Sequence, residues 1–194
     1  MNQKRFIKEK MIKSYLITDP SLFGTTANAL INSLSHAIAQ HSPDFVCLRD
    51  KTTDDYESLA KAFLTLPGSH KSLLHGNVDL AIELGAFGVH LSSQQFDEID
   101  RAKAAGLYVI ASTHSYEEAL RASKADAVTY SPVFFSPNKG KPKGLGDLKE
   151  ITGKINTKIF ALGGITSKEQ ISEVGTCGVY GFASIRYFAQ DAQL

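Results

Sequence analysis

Short apolar runs recur along the chain, and each ends in polar or small residues. Runs this short and this apolar are typical of strands buried on both faces. The sequence therefore predicts eight strands, and we expect them at residues 14–19, 45–50, 71–75, 87–92, 108–113, 127–133, 158–164 and 178–184.

The segments between these runs repeat their apolar residues at helical spacing. Examples are the sets Leu30, Leu34, Ala37 and Ile38, then Tyr56, Leu59, Ala60 and Phe63, then Ile99, Ala102 and Ala105. Alternation of strand and helix indicates a parallel α/β sheet, and eight units favour a closed (β/α)8 TIM barrel over an open doubly wound sheet. With 194 residues the barrel must be a short form, because this fold usually needs at least about 200 residues.

Composition narrows the class of protein further. Residues 1–13 carry five basic residues and one acid without the apolar core of a signal peptide, so we expect a basic surface leader followed by one barrel domain over 14–194. A net charge of +1 gives no bulk attraction to nucleic acid or membrane. No run approaches the roughly 18 apolar residues of a membrane span. Two cysteines without metal-ligand spacing favour a reduced, cytoplasmic protein with Cys47 buried.

The last two strands end in small residues. Gly163 and Gly164 close the run IFALGG, and Ala183 and Ser184 close the run GVYGFAS, while Thr166 is a candidate cap of the intervening helix. Small residues let backbone N–H groups approach an anion, and the last two strand ends form the usual phosphate site of a TIM barrel. The alternative is that the glycines only make tight turns.

Cations follow other predicted strands. Arg49 and Lys51 lie two apart at the end of the second strand, on the same side of an extended chain, where they suit a phosphate or carboxylate. The alternative is a solvated strand end whose cations pair with Asp50, Asp54 or Asp55. In the long loop 131–146, Lys139 is a weaker anion-binding candidate, since such lysines are commonly solvated.

His114 is the candidate acid/base residue. It lies between the fifth strand and a helix that Ser115 can cap, so it faces the carboxyl end of the barrel. An unperturbed imidazole titrates near pH 6.5, which suits proton transfer at neutral pH. The alternative is a structural histidine bonded to a backbone carbonyl. His75 and Ser131, at other strand ends, are additional candidates.

Several segments together resemble the thiamin-phosphate synthase/TenI superfamily of (β/α)8 barrels, from about Tyr15 to Phe188. The segments are YLITDP, VCLRDK, LLHGNVDLAIELGAFGVHLSS, VIASTHSYEEAL, SPVFFSPNKGKPKGLG, FALGGIT and GVYGFASI. The resemblance implies a small phosphorylated thiazole of thiamin biosynthesis as ligand, bound at the last two strand ends. Members often associate through their helices, so a homo-oligomer is compatible with it.

Departures from the synthase pattern favour the TenI-like branch. Where synthases carry Asn-Asp this chain has His75-Gly76, and the second magnesium-binding Asp corresponds to Gln95, so both magnesium carboxylates are missing. The resemblance then implies a thiazole tautomerase without a cofactor, with His114 as its acid/base residue. The alternatives are a thiamin-phosphate synthase with a degenerate Mg²⁺ site, and a non-catalytic binding or regulatory protein.

Overall fold

Eight parallel strands close into a barrel in the computed structural model, which describes residues 12–137 and 139–189. The strands pair in chain order, and β8 pairs with β1. Their bounds are β1 Lys13–Ile17, β2 Phe45–Leu48, β3 Lys71–His75, β4 Gly88–Leu91, β5 Tyr108–Thr113, β6 Ala127–Tyr130, β7 Lys158–Leu162 and β8 Gly181–Ser184. The predicted (β/α)8 fold is confirmed. β1 begins at Lys13, and residues 1–11 of the predicted leader lie outside the described residues.

Helices follow the strands and are mostly short. They are α1 Pro20–Phe23, α2 Ala27–His41, α3 Tyr56–Leu64, α4 Val78–Glu83, α5 Ile99–Ala104, α6 Tyr116–Arg121, α7 Gly144–Lys154, α8 Lys168–Gly175 and α9 Arg186–Ala189, with a 3₁₀ turn at Phe96–Glu98. Ala105 does not extend the apolar face of α5, because the helix ends at Ala104 and Ala105 is exposed. Among the described residues every helix falls short of the length and hydropathy that a bilayer crossing requires.

Alternate residues of each strand face opposite sides of the barrel wall. Leu16, Val46 and Leu74 belong to the large apolar cluster that also contains the helix residues. A second cluster fills the barrel interior and consists of Tyr15, Ile17, Phe45, Cys47, Leu73, Ile110, Ala127, Phe160 and Ala183. Since side chains alternate with a period of two, the residues two positions beyond these interior residues face the carboxyl end of the barrel.

Aromatic rings fill the opposite, amino end. Phe45 and Tyr108 lie with their ring centroids 5.7 Å apart, and the Lys71 ammonium lies 5.0 Å from the centroid of Phe45. Functional groups of a TIM barrel gather at the carboxyl ends of the strands, and in this barrel that end carries the polar side chains.

Candidate active site

Gly163 and Gly164 follow β7 in a conformation that favours glycine, with φ of 99° and 72°. The loop after β6 lies directly on them: Phe134 N–H donates to the Gly163 carbonyl at 2.9 Å. A Cβ on Gly164 would lie 2.5 Å from the Phe135 carbonyl oxygen, and one on Gly163 would lie 2.7 Å from the Pro132 Cα. The turn and the packing therefore require both glycines, whether or not they also hold a phosphate.

Ser184, at the end of β8, uses its hydroxyl within the protein. The hydroxyl donates to the Ile165 carbonyl at 2.7 Å and accepts the Tyr187 N–H at 3.1 Å. Ala183 points into the barrel interior and is fully buried. An anion at this strand end would therefore meet backbone N–H groups rather than these two side chains.

The predicted helix cap at Thr166 is wrong. The α8 helix is capped by Ser167, whose hydroxyl accepts the Gln170 N–H, while Thr166 instead donates its N–H to the Gln170 side chain at 2.8 Å. Ser167 has the extended backbone that a cap needs, and the first helical residue, Lys168, comes directly after it. Thr166 and Ser167 are adjacent hydroxyl residues, and the backbone conformation makes Ser167 the helix cap.

Arg49 and Lys51 line one cavity of about 370 Å³ beside Asp19. The Arg49 guanidinium lies 3.5 Å from the Asp19 carboxylate. The predicted alternative named the wrong carboxylates for Arg49, since Asp50 accepts hydrogen bonds from the backbone N–H and hydroxyl groups of its own turn.

Thr18 joins β1 to β2, because its hydroxyl accepts the Arg49 N–H at 2.8 Å and donates to the Arg49 carbonyl at 3.0 Å.

His75 ends β3 on the interior side, two residues beyond Leu73. Its ring centroid lies 5.6 Å from that of His90, its neighbour in register on β4. Burial and the charges of Arg49 and Lys51 lower the pKa of His75 to about 4. His75 is therefore a neutral imidazole at neutral pH.

His114 lies after β5, exposed, with its ring turned toward β6. Its Nδ1 lies 3.2 Å from the Ser131 carbonyl oxygen and 3.1 Å from the Ser131 hydroxyl. A carbonyl can only accept, so this contact favours the proton on Nδ1 and leaves the lone pair on Nε2. The His114 N–H donates to the Glu118 carboxylate at 2.7 Å, and Ser115 caps α6 as predicted.

Lys139 lies exposed in the loop between β6 and α7. The loop is fixed at both ends: Val133 N–H donates to the Leu162 carbonyl, and Lys143 N–H donates to the Pro132 carbonyl, each at 2.9 Å. Asn138 lies outside the described residues. The loop thus starts against the β7 glycines and carries Lys139 at its outer part.

Gly76 and Gln95 lie side by side, which brings together the two positions that correspond to the synthase carboxylates. The Gln95 amide donates to the Gly76 carbonyl at 2.8 Å, and its oxygen accepts the Ser92 N–H at 3.1 Å and the Ser92 hydroxyl at 2.9 Å. Among the described residues no group of three or more His, Cys, Asp and Glu could hold a metal ion. Mg²⁺ prefers anionic oxygen ligands, so this donor set does not fit it.

Three polar residues beneath the mouth were not among the predicted site residues. The Tyr15 hydroxyl lies 2.8 Å from His90 Nδ1, and His90 Nε2 lies 2.9 Å from the Ser112 hydroxyl. Ser112 precedes His114 by two residues, which is the spacing of one face of a strand. That spacing was the available signal for Ser112, whereas the contact between Tyr15 and His90 joins residues 75 apart in sequence.

The closed parallel barrel, with histidines, cations and glycine turns at its carboxyl end, defines a (β/α)8 protein of the kind that binds small anionic molecules. The family described as "Thiamine monophosphate synthase" matches residues 14–188, and the chain belongs to this family. A protein of Aquifex aeolicus named "Putative thiamine-phosphate synthase 2" is 35% identical over 185 residues, covering 91% of this chain and 97% of that protein. The thiamine-phosphate synthase of Clostridium novyi is 34% identical, covering 89% of this chain and 88% of its own.

A solved structure agrees with these sequence relatives. The thiamine phosphate pyrophosphorylase from Pyrococcus furiosus superposes with a TM-score of 0.72 at 26% identity, covering 94% of this chain and 98% of that one. FabK from Thermotoga maritima also superposes with a TM-score of 0.72, but at 16% identity, so that likeness concerns the fold alone. The resemblance found in the sequence is therefore confirmed at the level of the family.

Proposed function

We propose that this protein moves a proton on a phosphorylated thiazole carboxylate in thiamin biosynthesis, as a TenI-like thiazole tautomerase. The observation that carries the proposal is the contact between Gln95 and Gly76. An amide and a bare backbone occupy the two positions where a synthase needs carboxylates for Mg²⁺. A tautomerisation needs no metal, since it creates no pyrophosphate charge to neutralise.

Two anion-binding regions would orient the substrate. Backbone N–H groups at Gly163, Gly164, Ala183 and Ser184 would hold the phosphate, because positive-φ glycines and small residues let an anion approach the main chain. Arg49 and Lys51 would hold the carboxylate in the cavity at the end of β2. Lys139 would approach from the loop after β6.

His114 would carry out the proton transfer. Its Nε2 lone pair takes a proton from one atom of the substrate, and the resulting imidazolium returns the proton to a second atom of the same molecule. The Ser131 carbonyl accepts from Nδ1–H throughout, which orients the ring and stabilises its positive charge. Substrate and product have the same composition, so no co-reactant is consumed.

Thiamin-phosphate synthase is the second candidate, and the names of the relatives favour it. In that reaction Arg49, Lys51 and Lys139 would have to balance the charge of the pyrophosphate leaving group. Gly76 and Gln95 offer no carboxylate for this task.

Parallel turnover assays test the two candidates. We expect the thiazole carboxylate phosphate to isomerise, and we expect no thiamin phosphate from the pyrimidine pyrophosphate, thiazole phosphate and Mg²⁺. Thiamin phosphate formed at about 1 s⁻¹ or faster would establish the synthase and overturn the tautomerase. Binding of thiazole phosphate without either turnover would indicate a binding protein.

A double substitution examines the metal positions directly. Gly76→Asp is sterically reasonable, because Asp tolerates the φ of 72° better than most residues and a Cβ there would lie 3.5 Å from the Gln95 oxygen. Gly76→Asp with Gln95→Asp should create weak Mg²⁺-dependent thiamin phosphate formation, whereas Gln95→Asp alone should not.

The cytoplasmic location and the homo-oligomer remain predictions.

A further inference from the structure

Another cavity lies at the amino end of the barrel, opposite the candidate active site. Its volume is about 240 Å³, which is below the range of about 300–1,000 Å³ that is usual for drug-sized ligands. It lies among the first residues of β1, β2 and β3 and the residue before β8. Its lining includes Lys13, Ser42, Asp44, Phe45, Lys71 and Tyr180. A cavity of this size suits a small molecule or ion.

Lys71, in the lining of this cavity, lies against aromatic rings rather than a carboxylate. Its ammonium group lies 5.0 Å from the ring centroids of both Phe45 and Phe87. The Lys158 ammonium lies 5.1 Å from the ring centroid of Tyr180. Within the described part of the chain, neither lysine forms an ion pair with Asp or Glu. The amino end therefore carries two positive charges that pair with no carboxylate of the described residues.

Asp44, the acidic residue in the lining, is already paired. Its carboxylate accepts the Lys13 ammonium at 2.6 Å, the Ser14 N–H at 2.9 Å and the Ser14 hydroxyl at 3.2 Å. The Lys71 N–H donates to the Asp44 carbonyl at 2.9 Å, which fixes the two residues side by side. Because Lys13 compensates the charge of Asp44 and Ser14 occupies its second oxygen, the charge of Lys71 stays unbalanced.

Two phenol groups supply hydrogen-bond donors at the same end of the barrel. The Tyr108 hydroxyl is buried and has no hydrogen-bond partner among the described residues, and the Tyr180 hydroxyl forms no hydrogen bond within them. Burial, together with the neighbouring Tyr180 and Asp126, raises the pKa of Tyr108 to about 12, so this phenol keeps its proton at neutral pH. Since buried polar groups of native proteins are nearly always paired, the amino end has donors and lacks an acceptor.

We propose that this cavity is a second anion site, which holds inorganic phosphate or the phosphate group of a small monoester between Lys71 and Tyr180. Lys158 adds positive charge beside Tyr180. A lysine ammonium acts toward phosphate as a point charge with three donors, whereas a planar carboxylate is matched best by the fork of an arginine. Ammonium and phenol donors from separate strands suit the tetrahedral arrangement of phosphate oxygens.

A layer of aromatic rings separates this cavity from the candidate active site. Phe160 is fully buried, and its ring centroid lies 5.4 Å from that of Phe45 and 5.3 Å from that of Tyr180. From Lys71 to His75 at its other end, β3 spans about 13 Å at about 3.3 Å per residue. The inference is therefore independent of the proposed function, because a ligand at the amino end does not touch the strand ends that would bind the substrate.

Titration of the ¹⁵N-labelled full chain with sodium phosphate, at constant ionic strength, tests the proposal through the backbone amide shifts. We expect saturable shifts at Ser69, Lys71 and Tyr180 with a Kd on the order of 1 mM, as a few charge-assisted hydrogen bonds would give. Lys71→Gln should weaken this binding about tenfold, and Tyr180→Phe should weaken it about fivefold. Lys71→Arg keeps the charge and should bind nearly as wild type does.

Lys149→Gln is the matched control, because Lys149 is an exposed lysine on α7, and its phosphate binding at the amino end should equal that of wild type. Should Lys71→Gln not fold, Lys158→Gln removes the neighbouring charge and should also weaken binding. Shifts that do not saturate, that sodium chloride reproduces, or that persist with equal affinity in Lys71→Gln would overturn the proposal. Shifts at Gly163 and Gly164 report the other phosphate position separately, so each site can fail alone.

Discussion

One half of the barrel mouth is formed by backbone atoms, and the other half is formed by side chains. At β7 and β8 the site consists of backbone, with Gly163 and Gly164 in positive-φ conformations against the β6 loop. At β3 to β5 it consists of side chains, with His75 and His114 above the buried chain that ends at Ser112. Under the proposed function, the first half would use the same backbone atoms for folding and for phosphate binding. The second half would use different atoms for the two tasks, so we expect substitution to separate them.

The largest separation between loss of activity and loss of stability is expected at His114. His114→Asn should lower kcat by roughly 10²- to 10⁴-fold, the usual contribution of a positioned acid/base residue. Its melting temperature should stay near that of wild type, because the side chain is exposed. Rate and melting are measured on one sample, with His36→Asn as the control, since His36 is an exposed histidine on α2. Full activity in stable His114→Asn would remove His114 from the mechanism and make His75 the next candidate.

In the backbone half, a substitution should not change ligand binding without also lowering stability. Gly164→Val should lower the free energy of unfolding by about 3 kcal/mol or more, from positive-φ strain and overpacking against Phe135. Gly146→Ala is the control, because Gly146 lies in α7 with open space around it and should be neutral or slightly stabilised. Urea denaturation measures both. A Gly164→Val protein with native stability and normal binding of thiazole phosphate would contradict the packing and place the phosphate elsewhere.

The side-chain half should also determine part of the decrease in the free energy of unfolding at acid pH. The pKa of His75 is lowered to about 4 in the folded protein against about 6.5 unfolded, so between these values the unfolded chain binds more protons. The free energy of unfolding should therefore fall by about 1–3 kcal/mol as the pH is lowered from 7 to 4.

His75→Asn should flatten this slope between pH 4 and 6.5 in chemical denaturation measured at several pH values. His90 acts in the same direction, so some slope remains. Asp44 and Asp50 have lowered pKa values and contribute mainly below that window. An unchanged slope in His75→Asn would show that His75 is not held neutral by its surroundings.

The smallest effect is expected within the side-chain half, where Gln95 after β4 contacts Gly76 after β3. Gln95→Ala removes the hydrogen bond to Gly76 and should cost about 1 kcal/mol of unfolding free energy. Gln94→Ala is the matched control, because Gln94 is the exposed neighbouring glutamine. Thermal melting of the two variants measures the difference, and equal melting temperatures would show that the contact does not stabilise these loops.

The residues of the candidate site were predictable to different degrees. Ser131 and His114 were both named from strand ends, and the structure places them in hydrogen-bond contact. Arg49 was named, but its partner Asp19 follows a different strand, β1. The contact between Tyr15 and His90 was not predicted, since it joins residues 75 apart in the chain across the barrel.

The sequence by itself determined the fold of this protein, because eight apolar runs alternate with helical segments and local patterns of this kind need no long-range information. It also determined the family, because the segments that carry the resemblance are read directly from the chain. It also determined that carboxylates are missing at Gly76 and Gln95. Only the tertiary structure decided that these two positions touch, that Gly163 and Gly164 are required by the β6 loop, and that a hydrogen-bonded chain lies beneath the histidines. The physical reason is that closing the barrel brings together residues far apart in the chain, and a hydrogen bond or a steric clash depends on distance in space rather than on spacing in sequence.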